Sequence, residues 1–255
     1  MPELEIVTIP CRSDNYAYLL HNPDTGQTAL IDAPAAAPIA DELEVRGWHL
    51  TDILITHHHA DHVDGVAELR MGGARVIGAA ADAERLPELD LAVSHGDTIE
   101  VCGTPVHVMD ASGHTMGHIA FHVPQAGAVF TADSLMALGC GRLFEGDAAT
   151  MWATLTRLAD LPPDTLVCSG HEYTEANGAF ALTVDGDNPA LKARMERVRA
   201  ARAEGRPTVP SKLSEELETN PFLRARAAEV KAGLGMAGAD DVDAFAEIRR
   251  RKDAF

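Results

Sequence analysis

The sequence predicts an α/β fold, with two sheets packed face to face, helices outside, and a helical region at the C-terminal end. Three observations predict it. Short β-branched or apolar runs alternate with helix-like stretches through the first two thirds of the 255 residues. Polar, metal-competent residues recur where those runs end. After Tyr173 strand texture gives way to helical character, which sets an expected boundary between residues 1–173 and 174–255.

Leu4 to Ile9, Ala17 to Leu20 and Thr28 to Ile31 read as opening strands, broken by Asn22-Pro23-Asp24 and closed by Asp32-Ala33-Pro34. Pro38 to Arg46 is helix-like and stops at Gly47. Asp52 to Thr56 reads as a strand, Val63 to Arg70 as a helix and Arg75 to Gly78 as a strand. Thr98 to Thr131 has the pattern of short strands and turns. Thr150 to Leu161 is a helix ended by Pro162-Pro163, and Leu166 to Cys168 is the last strand the pattern supports. Pro189 to Glu204 and Ser211 to Glu218 have helical character, and Gly233 to Gly238 looks loose. Asp240 to Lys252 closes the chain as a helix with an acidic start and a basic end, which suits the helix macrodipole.

Chemistry concentrates in Thr56-His57-His58-His59-Ala60-Asp61-His62, directly after an apolar strand. Alternation along a turn lets His57 and His59 point one way and Asp61 and His62 another, so one peptide can serve two ions. Three companions follow, each at an expected strand end: Gly113-His114-Thr115, Ala132-Asp133 and Gly170-His171. Ligands gathered at the ends of several strands converge on one rim of a sheet. The remaining histidines read as structural: His58 sits between ligands and points away from them, His118 lies in Gly117-His118-Ile119, and His21, His49, His95, His107 and His122 lack ligand spacing.

These motifs resemble the metallo-β-lactamase-fold hydrolases, whose pattern is HxHxDH followed by a distant His, Asp and His. Within them the chain is similar to the glyoxalase II (hydroxyacylglutathione hydrolase) branch, through Cys140-Gly141-Arg142, Gly170-His171-Glu172-Tyr173-Thr174, Thr219-Asn220-Pro221-Phe222-Leu223-Arg224 and Arg249-Arg250-Arg251-Lys252-Asp253. The resemblance implies a four-layer αββα metallo-β-lactamase sandwich carrying a helical glutathione-binding domain. It implies two divalent metal ions, zinc first with iron or manganese as alternatives. His57, His59 and His114 would hold one, Asp61, His62 and His171 the other, with Asp133 bridging. The implied reaction is hydrolysis of S-D-lactoylglutathione and related 2-hydroxyacyl thioesters, the second step of methylglyoxal detoxification. A shared hydroxide, formed from a water whose pKa falls toward ~7, attacks the thioester. Asp61, His59 and Asp133 are the implied catalytic residues. Arg142, Phe144, Tyr173, Arg249 and Lys252 occupy the substrate positions. The branch usually has tyrosine where this chain has Phe144, and lysine where it has Arg142, which keeps the charge but changes the donor geometry.

Composition narrows the alternatives. A formal net charge of −18 argues against a nucleic-acid partner, because neutralising phosphates needs a basic surface. Four dispersed cysteines without a CxxC pair, and no leader pattern at Met1-Pro2-Glu3-Leu4, lead to the expectation of a cytoplasmic, membrane-free monomer with reduced thiols. A Cys140 or Cys168 thiol nucleophile is the weaker reading, since the metal cluster already supplies one. The principal alternative activity is a mononuclear-iron glutathione persulfide dioxygenase on the same fold. A metal-loaded binding module without catalysis is the other class, and the complete set of candidate ligands argues against it.

Overall fold

The computed structural model describes residues 4–255, so most of the Met1–Leu4 stretch read for a leader lies outside the described residues. The chain divides into two compact units. The first holds the described residues up to Ala111 together with Gly117–Ala132, and the second holds Ser112–Met116 with Asp133–Phe255.

In the first unit, β1 (Glu5–Cys11), β2 (Asn15–His21) and β3 (Thr28–Ile31) form an antiparallel meander. Every residue of β2 and β3 is buried, so neither strand alternates between apolar and polar faces, and Asn15, His21 and Thr28 are buried with the apolar residues. Helix α1 (Ala36–Arg46), closed by left-handed Gly47, carries the chain across to β4 (Leu50–Leu54), which lies parallel to β3. Two short helices follow, α2 (Ala60–Val63) and α3 (Val66–Leu69). They lead to β5 (Arg75–Ala79) and β6 (Leu91–Val93), both parallel additions to the same sheet. The second set of strands, β7 (Thr98–Val101), β8 (Thr104–Asp110), β9 (Ile119–Val123) and β10 (Ala128–Ala132), is antiparallel throughout.

The single helix expected from Val63 to Arg70 is broken and begins earlier. Gly65 explains the break: its amide donates to Ala33 O at 2.8 Å, and a Cβ there would meet the Ala36 nitrogen at 2.8 Å. Backbone contact with the strand-to-helix corner therefore replaces helix continuation. The early start places Asp61 and His62 inside a helical turn capped by His59. Strand β6 was not anticipated, because Leu91-Ala92-Val93 is too short for its alternation to stand out.

In the second unit, β11 (Leu135–Met136) and β12 (Gly139–Cys140) make a two-pair hairpin, followed by α4 (Ala148–Ala159), whose Asp147 cap accepts from Thr150 N at 2.8 Å. Strand β13 (Leu166–Ser169) leads into α5 (Thr174–Val184) and α6 (Pro189–Ala203), the latter capped by Asn188 with proline at its first turn. Then come β14 (Ser211–Lys212), α7 (Leu213–Thr219), α8 (Ala228–Gly233) and α9 (Asp241–Asp253). Leu138, Ala181, Leu191, Met195 and Val198 form one apolar cluster of this unit. A second run stacks Phe180, Phe222, Phe245 and Trp152, with neighbouring ring centroids 5.7–6.2 Å apart.

The closing helix matches the sequence reading: Asp240 caps it, acids occupy its first turn and Arg250, Arg251 and Lys252 its last. Helix α5 was missed, since it is buried on several sides and shows no clear apolar stripe. The last strand is β14, not the Leu166 segment, and it takes the first two residues of the helix expected from Ser211. The loose Gly233 to Gly238 stretch follows α8 and has left-handed glycines at 235 and 238.

Candidate metal centre

In the first unit the ligand peptide leaves β4 and is held by a residue that sequence reading passed over. Asp32 ends β3 with φ of 56°. Its Oδ1 accepts from Thr56 N at 2.9 Å, and its Oδ2 accepts from Thr56 Oγ1 and His62 Nδ1, both at 2.8 Å. Thr56 spends its hydroxyl proton on Asp32, so its oxygen accepts from His57 Nδ1 at 3.0 Å. These partners assign the tautomers: His57 and His62 carry their protons on Nδ1 and turn Nε2 outward as lone pairs. His57 Nε2 then faces His59 Nδ1 at 3.2 Å, and His62 Nε2 faces Asp61 Oδ2 at 3.7 Å. Asn15 Nδ2 donates to Asp61 Oδ2 at 3.0 Å and steers that carboxylate.

The donor atoms of Asp32, His57 and His62 lie within 4.8 Å of one another. Asp32 already accepts three hydrogen bonds, so its role there is to orient the imidazoles. Imidazole nitrogens gathered this closely, with a carboxylate alongside, fit a divalent cation. His58 turns away to Asp82 at 3.1 Å and Arg85 at 3.4 Å. Gly117 leaves room for that arrangement, because a Cβ there would lie 2.0 Å from Asp82 Cγ. His118 stacks on His57, centroids 4.6 Å apart. His21 bonds Thr28 Oγ1 at 2.9 Å and stacks on Trp48, and His107 bonds Thr98 Oγ1 at 3.0 Å.

In the second unit Asp133 stands between two imidazoles. Its Oδ2 lies 3.5 Å from His114 Nε2 and its Oδ1 3.3 Å from His171 Nε2. His114 Nδ1 donates to Arg142 O at 2.8 Å, so its Nε2 is again the lone pair. Gly141 lets the chain pass this point: a Cβ there would sit 1.9 Å from Asp133 O. Tyr173 lies flat against His171, centroids 4.7 Å apart with planes 6° off parallel.

The substrate positions are distributed as follows. Arg142 and Phe144 are exposed, and Phe144 packs its ring 5.2 Å from His114. Lys252 is half-buried, and burial pushes its ammonium pKa down, with Arg249 and Arg142 adding repulsion and Asp253 opposing. Arg249 is only 5% exposed, and donates to Cys140 O at 3.1 Å and Asp253 at 2.6 Å. None of the four cysteines is in a disulfide, and burial raises the Cys140 thiol to about 11 and the Cys168 thiol further, which opposes thiolate formation near neutral pH. No helix among the described residues is long and apolar enough to cross a membrane.

Known proteins resemble this chain over its whole length. The family model described as "Metallo-beta-lactamase superfamily" matches residues 12–171, and that described as "Hydroxyacylglutathione hydrolase C-terminus" matches residues 172–255. A hydroxyacylglutathione hydrolase of Ruegeria pomeroyi is 65% identical over 99% of both chains, and one of Methylococcus capsulatus is 51% identical over 99% of both. Among solved structures, the B3 metallo-beta-lactamase BLEG-1 superposes with a TM-score of 0.66 at 20% identity, covering 86% of this chain and 99% of its own. ETHE1 from Myxococcus xanthus gives 0.68 at 26% identity over 97% and 89%. The expected fold class holds, a divalent-metal site is supported, and the dioxygenase alternative is not favoured. With relatives of one name matching from end to end, the chain belongs to the hydroxyacylglutathione hydrolase family within the metallo-beta-lactamase superfamily.

Proposed function

We propose that this hydrolase cleaves S-D-lactoylglutathione to D-lactate and glutathione with two divalent ions, zinc first and iron or manganese as alternatives. His57, His59 and His114 would hold one ion, and Asp61, His62 and His171 the other, with Asp133 shared. The observation that carries the reading is Asp133, whose two oxygens face two different imidazole nitrogens, a placement that suits a bridging carboxylate. Bound there, the ions would supply an acidified water near neutral pH and polarise the thioester carbonyl.

The rest falls to the chain's own groups. Asp32 keeps His57 and His62 in one tautomer, Asn15 aims Asp61, and Asp61, His59 and Asp133 are the residues whose loss would abolish turnover. The leaving thiolate, with a pKa near ~8.5, departs without a strong general acid. Arg142 and Lys252, with the buried charge of Arg249 added to theirs, give a cationic group in an otherwise acidic protein, suited to the carboxylates of glutathione. Tyr173 offers its hydroxyl to the tripeptide, and Phe144 offers only a ring face. In this reading residues 1–173 are catalytic and 174–255 hold the substrate. The protein is read as a cytoplasmic monomer, and four buried thiols outside any disulfide fit that compartment.

Thioester loss followed with metal-replete protein, beside His59→Ala, tests the reading. Hydrolysis by the first and a loss of about a hundredfold or more in the second are the expected results. Equal rates, or oxygen consumption with glutathione persulfide in place of hydrolysis, would overturn it.

A further inference from the structure

The hairpin β11–β12 occupies a decisive place in the second unit. It begins two residues after Asp133 and ends one residue before Gly141, whose backbone lies against Asp133 O. Arg142, next along, supplies the carbonyl that sets the His114 tautomer. The hairpin's shape therefore governs both the bridging carboxylate and an imidazole beside it.

Two residue pairs cannot hold such a hairpin by their own hydrogen bonds. Its turn also contains Leu138 at φ of 56°, a conformation that a leucine rarely adopts. Side chains from the C-terminal segments satisfy its buried backbone instead. Asn220 Nδ2 donates to Met136 O at 3.0 Å and Gly139 O at 2.9 Å, bridging the two strands. Asn177 Nδ2 donates to Ala137 O at 3.1 Å, and Glu216 Oε2 accepts from Leu138 N at 2.9 Å. Glu216 is fully buried and is itself held by Arg194 and by Ser211 Oγ. Gly139 is bare because the Asn177 amide lies 2.5 Å from where its Cβ would stand.

We propose that Asn220, with Asn177 and Glu216, is a positioning residue for the metal centre, clamping the Leu135–Cys140 hairpin so that Asp133 and the Arg142 carbonyl keep their alignment. Within the Thr219-Asn220-Pro221-Phe222 motif, Asn220 alone thus acts on the metal ligands, through the hairpin. This rests on Asp133 being a metal ligand.

The test compares Asn220→Asp, which keeps shape but removes both N–H donors, with Asn177→Ala, Asp133→Asn and Thr219→Val. Thr219 bonds Arg194 and Glu215 O in the same network without touching the hairpin. Each full-length protein is stripped of metal, titrated with Zn2+ against a chromophoric chelator, melted, and assayed for kcat and KM. Asn220→Asp should weaken Zn2+ binding about tenfold or more and lower kcat more than it raises KM, with Asn177→Ala moving the same way by less. Thr219→Val should lower Tm alone. Wild-type Zn2+ affinity and kcat in Asn220→Asp at a Tm matching Thr219→Val would overturn the proposal, as would a loss confined to KM. Should Asn220→Asp fail to fold, Asn177→Ala decides by the same criteria. Wild-type Zn2+ affinity in Asp133→Asn would sink the metal-ligand reading itself, a distinct failure.

Discussion

Gly141→Ala is the smallest change that should disable this enzyme. The added Cβ would lie 1.9 Å from Asp133 O and 3.0 Å from His114 Nδ1, while ordinary contact begins at 3.4 Å. The main chain must therefore give by about 1.5 Å, because the first clash is with backbone and cannot be relieved by a rotamer. Gly141 N also donates to Ser134 O at 3.0 Å, so the shift pulls on the residue after Asp133 as well. Overpacking of this kind costs about 1–3 kcal/mol, a Tm drop on the order of 5 °C in a chain of this size. A displacement near ~1 Å at reacting groups costs about a hundredfold in rate. The assay is thioester loss from S-D-lactoylglutathione, with bound metal per chain and Tm measured on the same sample. Gly127→Ala is the control: its φ of 59° also strains alanine, but no atom lies within 4 Å of the new methyl. It should lose about 1 kcal/mol and no activity. A Gly141→Ala enzyme with wild-type kcat and metal content would refute the reasoning.

Three further outcomes follow from the geometry. Asp32→Ala leaves Thr56 N, Thr56 Oγ1 and His62 Nδ1 without their acceptor, so Zn2+ affinity should fall about 10–100-fold; unchanged affinity in a chelator competition would contradict the orienting role. Phe144→Tyr puts a hydroxyl on a ring that is 63% exposed, and one new hydrogen bond of about 1 kcal/mol should lower KM roughly fivefold; an unchanged KM would show that the missing hydroxyl is immaterial. Burial raises the Cys11 and Cys140 thiols to about 11 and Cys102 to about 12, so thiolate forms in the folded chain only at higher pH than in the unfolded one. At pH 8 a disulfide reagent should leave the native protein untouched and label it after guanidinium unfolding, whereas prompt native labelling would contradict that burial.

Chemistry was more legible in the sequence than its support. The strands that deliver His57, His114, Asp133 and His171 announce themselves as apolar runs that give way to polar residues or glycine, so the candidate ligands could be named by position. The groups that orient them could not. Asp32 looks like an ordinary strand terminator, and only its positive φ and its three donors show that it sets two tautomers. An aspartate before Ala-Pro at a strand end was the available hint. The hairpin at Leu135–Cys140 is too short for periodicity to register, and Leu138 disguises a left-handed turn in which glycine would have been a clue. Helix α5 carries buried residues around much of its circumference, which erases the polar stripe that pattern reading needs. Arg249 was legible as a basic helix end but not as a group committed to Cys140 O and Asp253, since that depends on packing among segments distant in sequence.

The central claim is a pair of ions shared through Asp133, and metal stoichiometry against activity tests it most directly. Apoprotein titrated with Zn2+ and assayed at each addition should bind two ions per chain, with thioester hydrolysis rising as the second fills. Saturation and full activity at one ion per chain, or turnover by the apoprotein, would contradict it.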